Sequence, residues 1–138
     1  MSRILGIDWG EKRIGLALSD PLGIIATGLS TLEKKPDFDL IGHLKTLISE
    51  QEIAKIILGF PKNMDGSVGP KGEEVLAFKE TLEKELDISV ILWDERLTTA
   101  QAQRVLTEGG VSRAKRKEKV DSMAAQLMLQ SYLDAHTG

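Results

Sequence analysis

Three acidic positions in this chain could do chemistry together if the fold brings them to one place. Asp8 follows an apolar run near the amino terminus, and Asp121 begins the last amphipathic segment. A second apolar run ends in Asp94 and Glu95, either of which could supply the third carboxylate. Carboxylates that gather in a partly dry site repel one another strongly unless divalent cations lie between them. Oxygen ligands with no His or Cys nearby are typical of Mg²⁺ or Mn²⁺ sites, and two such ions can support phosphodiester hydrolysis.

The stretch of residues 3–20 is typical of a β-hairpin, and it decides where Asp8 lies. Apolar residues at 4–7 and 14–18 flank a charged turn that contains Gly10, which is the pattern of two antiparallel strands. Asp8 therefore ends a buried strand near the rim of a sheet. An ionised carboxylate in that place is costly unless it is paired or binds a cation.

Apolar patterns after the hairpin predict three further strands and four helices. The strands are expected at residues 24–32, 53–60 and 88–93, the last two as buried parallel strands. The helices are expected to begin at Pro36-Asp37, after the breaker-rich loop of residues 61–70, at Thr98 or Thr99, and at about Lys119. The inward face of the last helix is expected to carry Asp121, Ala124, Ala125, Met128 and Tyr132.

This order predicts an α/β fold with a mixed five-stranded sheet and helices on both faces. The first three strands pair as an antiparallel meander, and the two later strands lie parallel to the first. Functional residues of such sheets gather beyond the carboxyl ends of the parallel strands. Asp8, the loop at residues 63–65 and the Asp94–Glu95 pair all fall there. Asp121 reaches the same rim because the two alanines that follow it let the last helix approach the sheet.

The composition excludes several classes of protein. A chain of 138 residues is about one domain long, so residues 1–138 are expected to form a single domain. The absence of cysteine excludes disulfides, zinc–thiolate sites and a Cys nucleophile, and it fits a reducing compartment. No leader-like apolar segment follows the first Met, and no run approaches the roughly 20 apolar residues of a membrane span. The protein is therefore expected to be soluble and cytoplasmic, with no membrane partner.

Basic charge is concentrated in one part of the chain. The net charge is −3, yet residues 104–119 contain six basic residues and two acids and so carry +4, leaving −7 for the rest. Residues 107–119 are expected to form a mobile loop that guides a polyanion toward the acids. The side chains expected to contact phosphates are Lys12, Arg13, Arg96, Thr98, Arg104, Arg113, Lys115, Arg116 and Lys117.

Each of these features also has an ordinary structural explanation. Asp8 at a strand end can be a turn former, and Asp121 can be an acid favoured by the dipole at a helix N-terminus. The basic run can be a solvated loop, and Trp9 and Trp93 are expected to be packing residues rather than base-stacking platforms. The joint placement of the acids is what favours chemistry.

Four ordered motifs resemble those of the YqgF proteins, a bacterial family of Holliday junction resolvase-like and pre-16S ribosomal RNA nuclease proteins. They are G-I-D-W-G-E-K-R-I-G at the start, L-G-F-P-K-N-M-D-G in the middle, D-E-R-L-T-T after the last predicted strand and K-V-D-S-M-A-A at the last helix. The resemblance covers nearly the whole chain. It implies a ribonuclease H-like fold, nuclease chemistry with Mg²⁺ or Mn²⁺, and a role in maturing the 5′ end of small-subunit ribosomal RNA. Precursor ribosomal RNA and the ribosomal subunit are the partners this implies.

The resemblance also assigns roles to individual residues. Asp8, Glu95 and Asp121 match the acidic triad of the family, as catalytic residues and metal ligands. Asn63 belongs to a matched loop and is counted with the nucleic-acid-binding residues. Glu95 rather than Asp94 is thus the expected ligand from the last strand.

Other functions remain open at this point. The same site could cut four-way DNA junctions instead of RNA. The first motif also resembles the phosphate loop of actin-like and sugar-kinase ATPases, but those proteins need two such domains. A noncatalytic RNA-binding factor for ribosome assembly or transcription is a third alternative, against which the three acids speak. With added metal and nucleic acid, a nuclease cuts, a binder shifts mobility only, and an ATPase requires nucleotide.

Overall fold

The computed structural model describes residues 2–62, 65–94 and 113–136, with residues 113–122 described by their backbone alone. Within these ranges the chain forms six strands and three helices. The strands are β1 (Arg3–Trp9), β2 (Arg13–Ser19), β3 (Ala26–Gly28), β4 (Leu32–Glu33), β5 (Ile53–Phe60) and β6 (Ser89–Asp94). The helices are α1 (Leu40–Gln51), α2 (Pro70–Leu86) and α3 (Arg113–His136).

The first strand is the central strand of the sheet. The strand order is β3-β2-β1-β5-β6, and β4 pairs with β2 outside this path. β1 lies antiparallel to β2 and parallel to β5, and β5 lies parallel to β6. The expected mixed sheet, with five strands in its main path and β1 at its centre, is thereby confirmed.

Alternate residues of the central strand enter two separate apolar layers. Leu5 and Ile7 are fully buried against side chains of α1 and α2, in what we call the α1/α2 layer. Ile4 packs on the opposite side of the sheet, in the α3 layer, whose helical side chains include Met128 and Leu129. Helices therefore cover both faces of the sheet, as expected.

The last helix runs antiparallel to β1. The side-chain amide of Gln130 donates to the carbonyl of Ile24 (2.8 Å), and that of Gln126 donates to the carbonyl of Ala26 (3.1 Å). β3 is parallel to β1, because both are antiparallel to β2. Residue numbers in α3 therefore decrease in the direction in which those of β1 increase. The amino-terminal half of α3 therefore lies toward the carboxyl end of β1.

Small residues let this helix approach the sheet closely. A Cβ at Gly6 would lie 3.1 Å from the Cβ of Leu129 and 3.5 Å from the carbonyl oxygen of Ala125. The inward face of the helix is confirmed for its described side chains, since Ala124, Ala125, Met128 and Tyr132 are all buried. Leu129 and Leu133 extend this face. No helix within the described ranges is long and apolar enough to span a membrane.

The single third strand expected at residues 24–32 is wrong. Two short strands, β3 and β4, pair with β2 in its place. The backbone N–H groups of Ile24 and Ile25 donate to the carboxylate of Asp20, at 2.7 and 2.9 Å, which takes them out of any strand ladder. These hydrogen bonds also hold the pKa of Asp20 below its usual value.

Two helix starts also differ from the expectation. The first helix begins at Leu40 rather than at Pro36-Asp37, because Asp39 is its N-cap and its carboxylate accepts from the N–H of Gly42 (3.0 Å). The last helix begins at Arg113 rather than at about Lys119. Residues 113–119 are therefore helical and not part of a mobile loop, in keeping with the high helix propensity of Arg, Lys, Ala and Glu.

The close approach at Gly6 gives a test of this packing. Gly6→Ala is expected to destabilise the protein by about 1–3 kcal/mol, because the added methyl group meets the Cβ of Leu129, which cannot rotate away. The measurement is the free energy of unfolding in urea. Ala54→Val adds bulk at an exposed strand position and should change that free energy by less than about 0.5 kcal/mol. Equal effects of the two substitutions would contradict the proposed packing.

Candidate active site

Asp8 lies near the carboxyl end of β1, on the face of the sheet that α3 covers. Ile7 belongs to the α1/α2 layer, so strand alternation places Asp8 on the opposite side, with Ile4 and Gly6. Its Cα partner on β2 is Gly15. On β5, Gly59 follows Leu58 of the α1/α2 layer and so faces the same side as Asp8. Neither glycine places a side chain beside the half-buried carboxylate.

The pairing between β1 and β5 ends next to Asp8. β1 pairs with β5 up to Ile7 and Leu58. Beyond that point β1 continues with β2 to the pair Trp9–Ile14, and β5 continues with β6 to the pair Phe60–Asp94. Asp8 therefore lies where β1 and β5 no longer pair, at the carboxyl edge of the sheet. Ligands of open α/β sheets commonly bind beyond this edge.

Asp94 lies on the face opposite to Asp8. Val90 and Leu92 pack in the α1/α2 layer, whereas Ile91 and Trp93 pack in the α3 layer. Asp94 lies two residues after Leu92 and so faces the α1/α2 layer, to which its Cα partner Phe60 also belongs. Continued alternation would return the next residue of the chain to the side of Asp8. That residue, Glu95, lies outside the described part of the chain.

The backbone of Asp121 lies toward Asp8. The carbonyl of Ala125 is over Gly6, and Asp121 precedes Ala125 by one helical turn. One turn of helix rises about 5.4 Å, and two residues of strand rise about 6.6 Å. Because α3 is antiparallel to β1, both steps lead in the same direction along the sheet. Asp121 also has the helical spacing of the inward face that Ala125 and Tyr132 occupy.

Several of the expected site residues lie outside the described part of the chain. These are Asn63, Glu95, Arg96, Thr98 and Arg104, together with the expected helix that begins at Thr98 or Thr99. Arg113, Lys115, Arg116 and Lys117 are described as the first two turns of α3, by backbone alone. The described side chains include no group of three acidic or histidine residues that could hold a metal ion. Of the expected acidic triad, the described side chains include that of Asp8.

Two of the expected phosphate contacts lie at the edge next to Asp8. Lys12 is exposed in the turn of the β1–β2 hairpin, and Arg13 begins β2. Ile14 and Leu16 pack in the α1/α2 layer, so alternation puts Arg13 on the same face as Asp8. The turn is tight, since a Cβ at Gly10 would lie 2.5 Å from the carbonyl oxygen of Arg13.

The loop after β5 contains an acid with a local structural role. The carboxylate of Asp65 accepts from the backbone N–H of Ser67 (2.9 Å) and from its hydroxyl (2.6 Å). The side-chain hydrogen bond, followed by the backbone one, lowers the pKa of Asp65. This is an Asx turn, with Gly66 in the left-handed region (φ +88°). Asp65 therefore shapes the loop that follows the strand end.

A cluster on the opposite face from Asp8 was missed by sequence reasoning. The indole N–H of Trp9 donates to Glu74 of α2 (2.7 Å), and the ammonium of Lys34 lies 3.6 Å from the centre of the Trp9 ring. Phe78 packs on the same ring, with 4.1 Å between centroids. The hydrogen bond from Trp9 is the largest cause of a lowered pKa at Glu74. Packing of Trp9 was expected, but its polar partner lies 65 residues away and has no local signal.

The chain matches a known protein family over nearly its whole length. The model of the family described as "RuvX: Holliday junction resolvase" matches residues 2–135. A protein of Thermoanaerobacter pseudethanolicus named "Putative pre-16S rRNA nuclease" is 53% identical over 137 residues, covering 96% of each chain. A protein of the same name from Clostridium novyi is 49% identical over 133 residues, covering 96% of this chain and 98% of its own.

A solved structure supports the fold. T. thermophilus RuvC, in complex with a Holliday junction substrate, matches with a TM-score of 0.57 at 16% identity, covering 100% of this chain and 97% of its own. At that identity the likeness concerns the fold alone, and it confirms the expected ribonuclease H-like class. The family name and the names of the relatives denote nucleases. The chain belongs to the RuvX family, which confirms the resemblance drawn from its four motifs.

Proposed function

We propose that this chain is a metal-dependent endonuclease that hydrolyses nucleic-acid phosphodiesters, in the 5′-end maturation of pre-16S ribosomal RNA. The observation that carries the proposal is the position of Asp8, on the α3 face of the central strand, where pairing with β5 has ended, and toward the backbone of Asp121. The names of relatives at 49% and 53% identity favour ribosomal RNA as the substrate. On this proposal residues 1–138 act as one nuclease domain in the cytoplasm, and the ribosomal subunit is a partner.

The residues around Asp8 fit a divalent metal such as Mg²⁺ or Mn²⁺. No described side chain forms a hydrogen bond or ion pair with the Asp8 carboxylate, so its oxygens are available as ligands. Glu95 and Asp121 would complete a set of oxygen donors of the kind these ions prefer. The chemistry that bound ions supply is activation of a water and stabilisation of the leaving oxygen.

The other residues of this edge would bind and orient the substrate. Gly15 and Gly59 add no side chains beside Asp8, which leaves space for a phosphodiester backbone. Lys12 and Arg13 can neutralise its phosphates from the hairpin. Lys62, which follows β5 and is exposed, lies at the same edge but on the other face, with its ammonium 5.9 Å from the ring centre of Phe60. The basic residues that begin α3 extend this positive edge beyond Asp121.

A second candidate substrate is the four-way DNA junction. The description of the family supports it, and so does the RuvC-like fold. The same acids would serve either substrate, since both contain phosphodiesters. Parallel assays with precursor ribosomal RNA and with four-way DNA junctions, each with Mn²⁺ and with chelator, decide between them. A mobility shift without cleavage in every assay would instead support the noncatalytic RNA-binding factor.

Asp8→Asn tests the central carboxylate. We expect it to reduce cleavage by at least about 100-fold, because even outer-shell partners of a metal typically contribute about 10–100-fold. The protein should stay folded, and the rise in melting temperature caused by Mn²⁺, which follows from mass action, should shrink. Asp37→Asn is the matched control, because Asp37 is exposed in the loop before α1. Full cleavage and an unchanged metal response in Asp8→Asn would refute the site.

Asp94 and the residue that follows it, Glu95, are expected to differ in their effect on metal binding and cleavage. Glu95→Gln should lose cleavage and most of the melting-temperature response to Mn²⁺, since alternation continued beyond Asp94 would return the next side chain to the side of Asp8. Asp94→Asn should retain both, because Asp94 lies on the α1/α2 side. The reverse pattern would assign the ligand to Asp94 and contradict the alternation.

The basic start of α3 is tested by salt dependence. Replacing Lys115 and Arg116 with Ala should weaken RNA binding and reduce the slope of log K against log salt by roughly 1.4, for two lost contacts to a single strand. Replacing Lys45 and Lys84 with Ala removes the same charge from the exposed surfaces of α1 and α2 and should leave the slope nearly unchanged. Equal slopes for the two double variants would show that the effect is one of net charge.

A further inference from the structure

The end of β1, where Asp8 lies, has a strand partner on one side only. Its pairing with β5 ends at Ile7 and Leu58, so Asp8 and Trp9 are tied by strand pairing to β2 alone. A carboxylate that orients a ligand must be held to a fraction of an ångström, because a misplacement of about 1 Å can lower a rate by about 100-fold. Contacts from outside the ladder are therefore needed at this point.

Trp9 supplies such contacts on the side of the sheet opposite to Asp8. Its indole N–H donates to Glu74 at 2.7 Å, and its ring packs on Phe78. Both partners belong to α2, the helix that follows β5. The contacts thus connect the end of β1 with α2 beyond the point where the pairing between β1 and β5 ends.

Lys34 ties a third segment to the same point. Its ammonium lies 3.6 Å from the Trp9 ring centre and 3.4 Å from the Glu74 carboxylate, and its side chain is 19% exposed. Its backbone N–H donates to the carbonyl of Lys12 in the hairpin turn (2.9 Å). The hairpin turn, the strand end and α2 are therefore joined through one indole ring.

We propose that Trp9, Glu74 and Lys34 form a latch that fixes the end of β1 to α2 and makes Trp9 a positioning residue for Asp8. This inference rests on the proposed nuclease function, and it deepens it by assigning a role to residues that do not touch the substrate. Because Asp8 and Trp9 are consecutive, a shift of the indole toward or away from α2 turns the strand end and moves the carboxylate. The aromatic contact with Phe78 alone leaves the indole free to slide, whereas the N–H bond to Glu74 fixes it.

Four single variants isolate the latch. Glu74→Ala removes the acceptor, and Trp9→Phe keeps an aromatic ring but removes the donor. Glu74→Gln retains an acceptor oxygen for the indole N–H and is the conservative rescue. Glu83→Ala is the matched control, because Glu83 also pairs with a lysine, Lys79 at 2.9 Å, on the same helix but without contact to β1.

The readouts are kcat and KM for cleavage with Mn²⁺, measured well below the melting temperature of every variant. Glu74→Ala and Trp9→Phe should lower kcat by about 10-fold with KM changed less than about twofold, as expected when positioning rather than binding is lost. Glu74→Gln should stay within about threefold of the parent, and Glu83→Ala should match it. Unchanged kcat in both Glu74→Ala and Trp9→Phe, or an equal loss in Glu83→Ala, would overturn the latch.

A second measurement separates failure of the latch from failure of the proposed function. This measurement is a titration of the melting temperature with Mn²⁺, which needs no substrate. The quantity compared is the concentration of Mn²⁺ that gives half of the Asp8-dependent rise. It should increase by about fivefold or more in Glu74→Ala and remain unchanged in Glu83→Ala. If the parent does not cleave but this shift appears, the nuclease function is wrong and the latch stands. If the parent cleaves and Glu74→Ala matches it in both readouts, the latch is wrong and the function stands. A parent without cleavage or metal response overturns both.

Discussion

The arrangement of the edge depends on the burial of one strand from both sides. β1 lies at the centre of the sheet, and Leu5 and Ile7 are 0% exposed in one layer while Gly6 meets α3 in the other. A slip of one residue would exchange the two sets, placing a carboxylate in an apolar layer and a leucine where only a glycine fits. The register of β1 is therefore strongly specified, and with it the side of the sheet on which Asp8 lies.

The α3 layer and the α1/α2 layer have different roles at the carboxyl edge of the sheet. The α3 layer brings the amino-terminal half of a long helix toward Asp8, and it does so because Gly6 and Ala125 permit close contact. The α1/α2 layer contains no part of the proposed metal site. It holds the end of β1 through Trp9, in the place where pairing with β5 has stopped. A half-buried carboxylate at a strand end without a partner on one side can thus still be held in one place.

Much of the fold could be predicted from the sequence because its buried segments have clear periods. The run at residues 53–60 became β5 with the same bounds, and the inward face of α3 followed the helical spacing of its apolar residues. The expected third strand could not be resolved in this way, because the Asp20 carboxylate competes for the backbone N–H groups that a strand would use. The early start of α3 was missed because a dense basic run reads equally well as loop or helix.

The position of Asp8 was predictable because a strand end marks it: the apolar run before it becomes β1. The period of two residues in a strand separates the faces of Asp94 and Glu95, but the choice of Glu95 came from the family resemblance and stays a prediction. Contacts between residues far apart in the chain have no local sequence pattern that would predict them. Nothing near Trp9 in the sequence indicates that its partner is Glu74, and nothing near Gly59 shows that it faces the same side as Asp8.

The central claim is that a divalent metal binds at the α3 face of the sheet, at Asp8. The most direct test is a crystal of the protein grown or soaked with Mn²⁺ and measured for anomalous scattering. We expect an anomalous peak about 2.1 Å from an Asp8 carboxylate oxygen, with Glu95 and Asp121 completing the ligands and none from Asp94. A peak bound to Asp94 on the opposite face, or no peak at Asp8 at a saturating concentration of Mn²⁺, would contradict it.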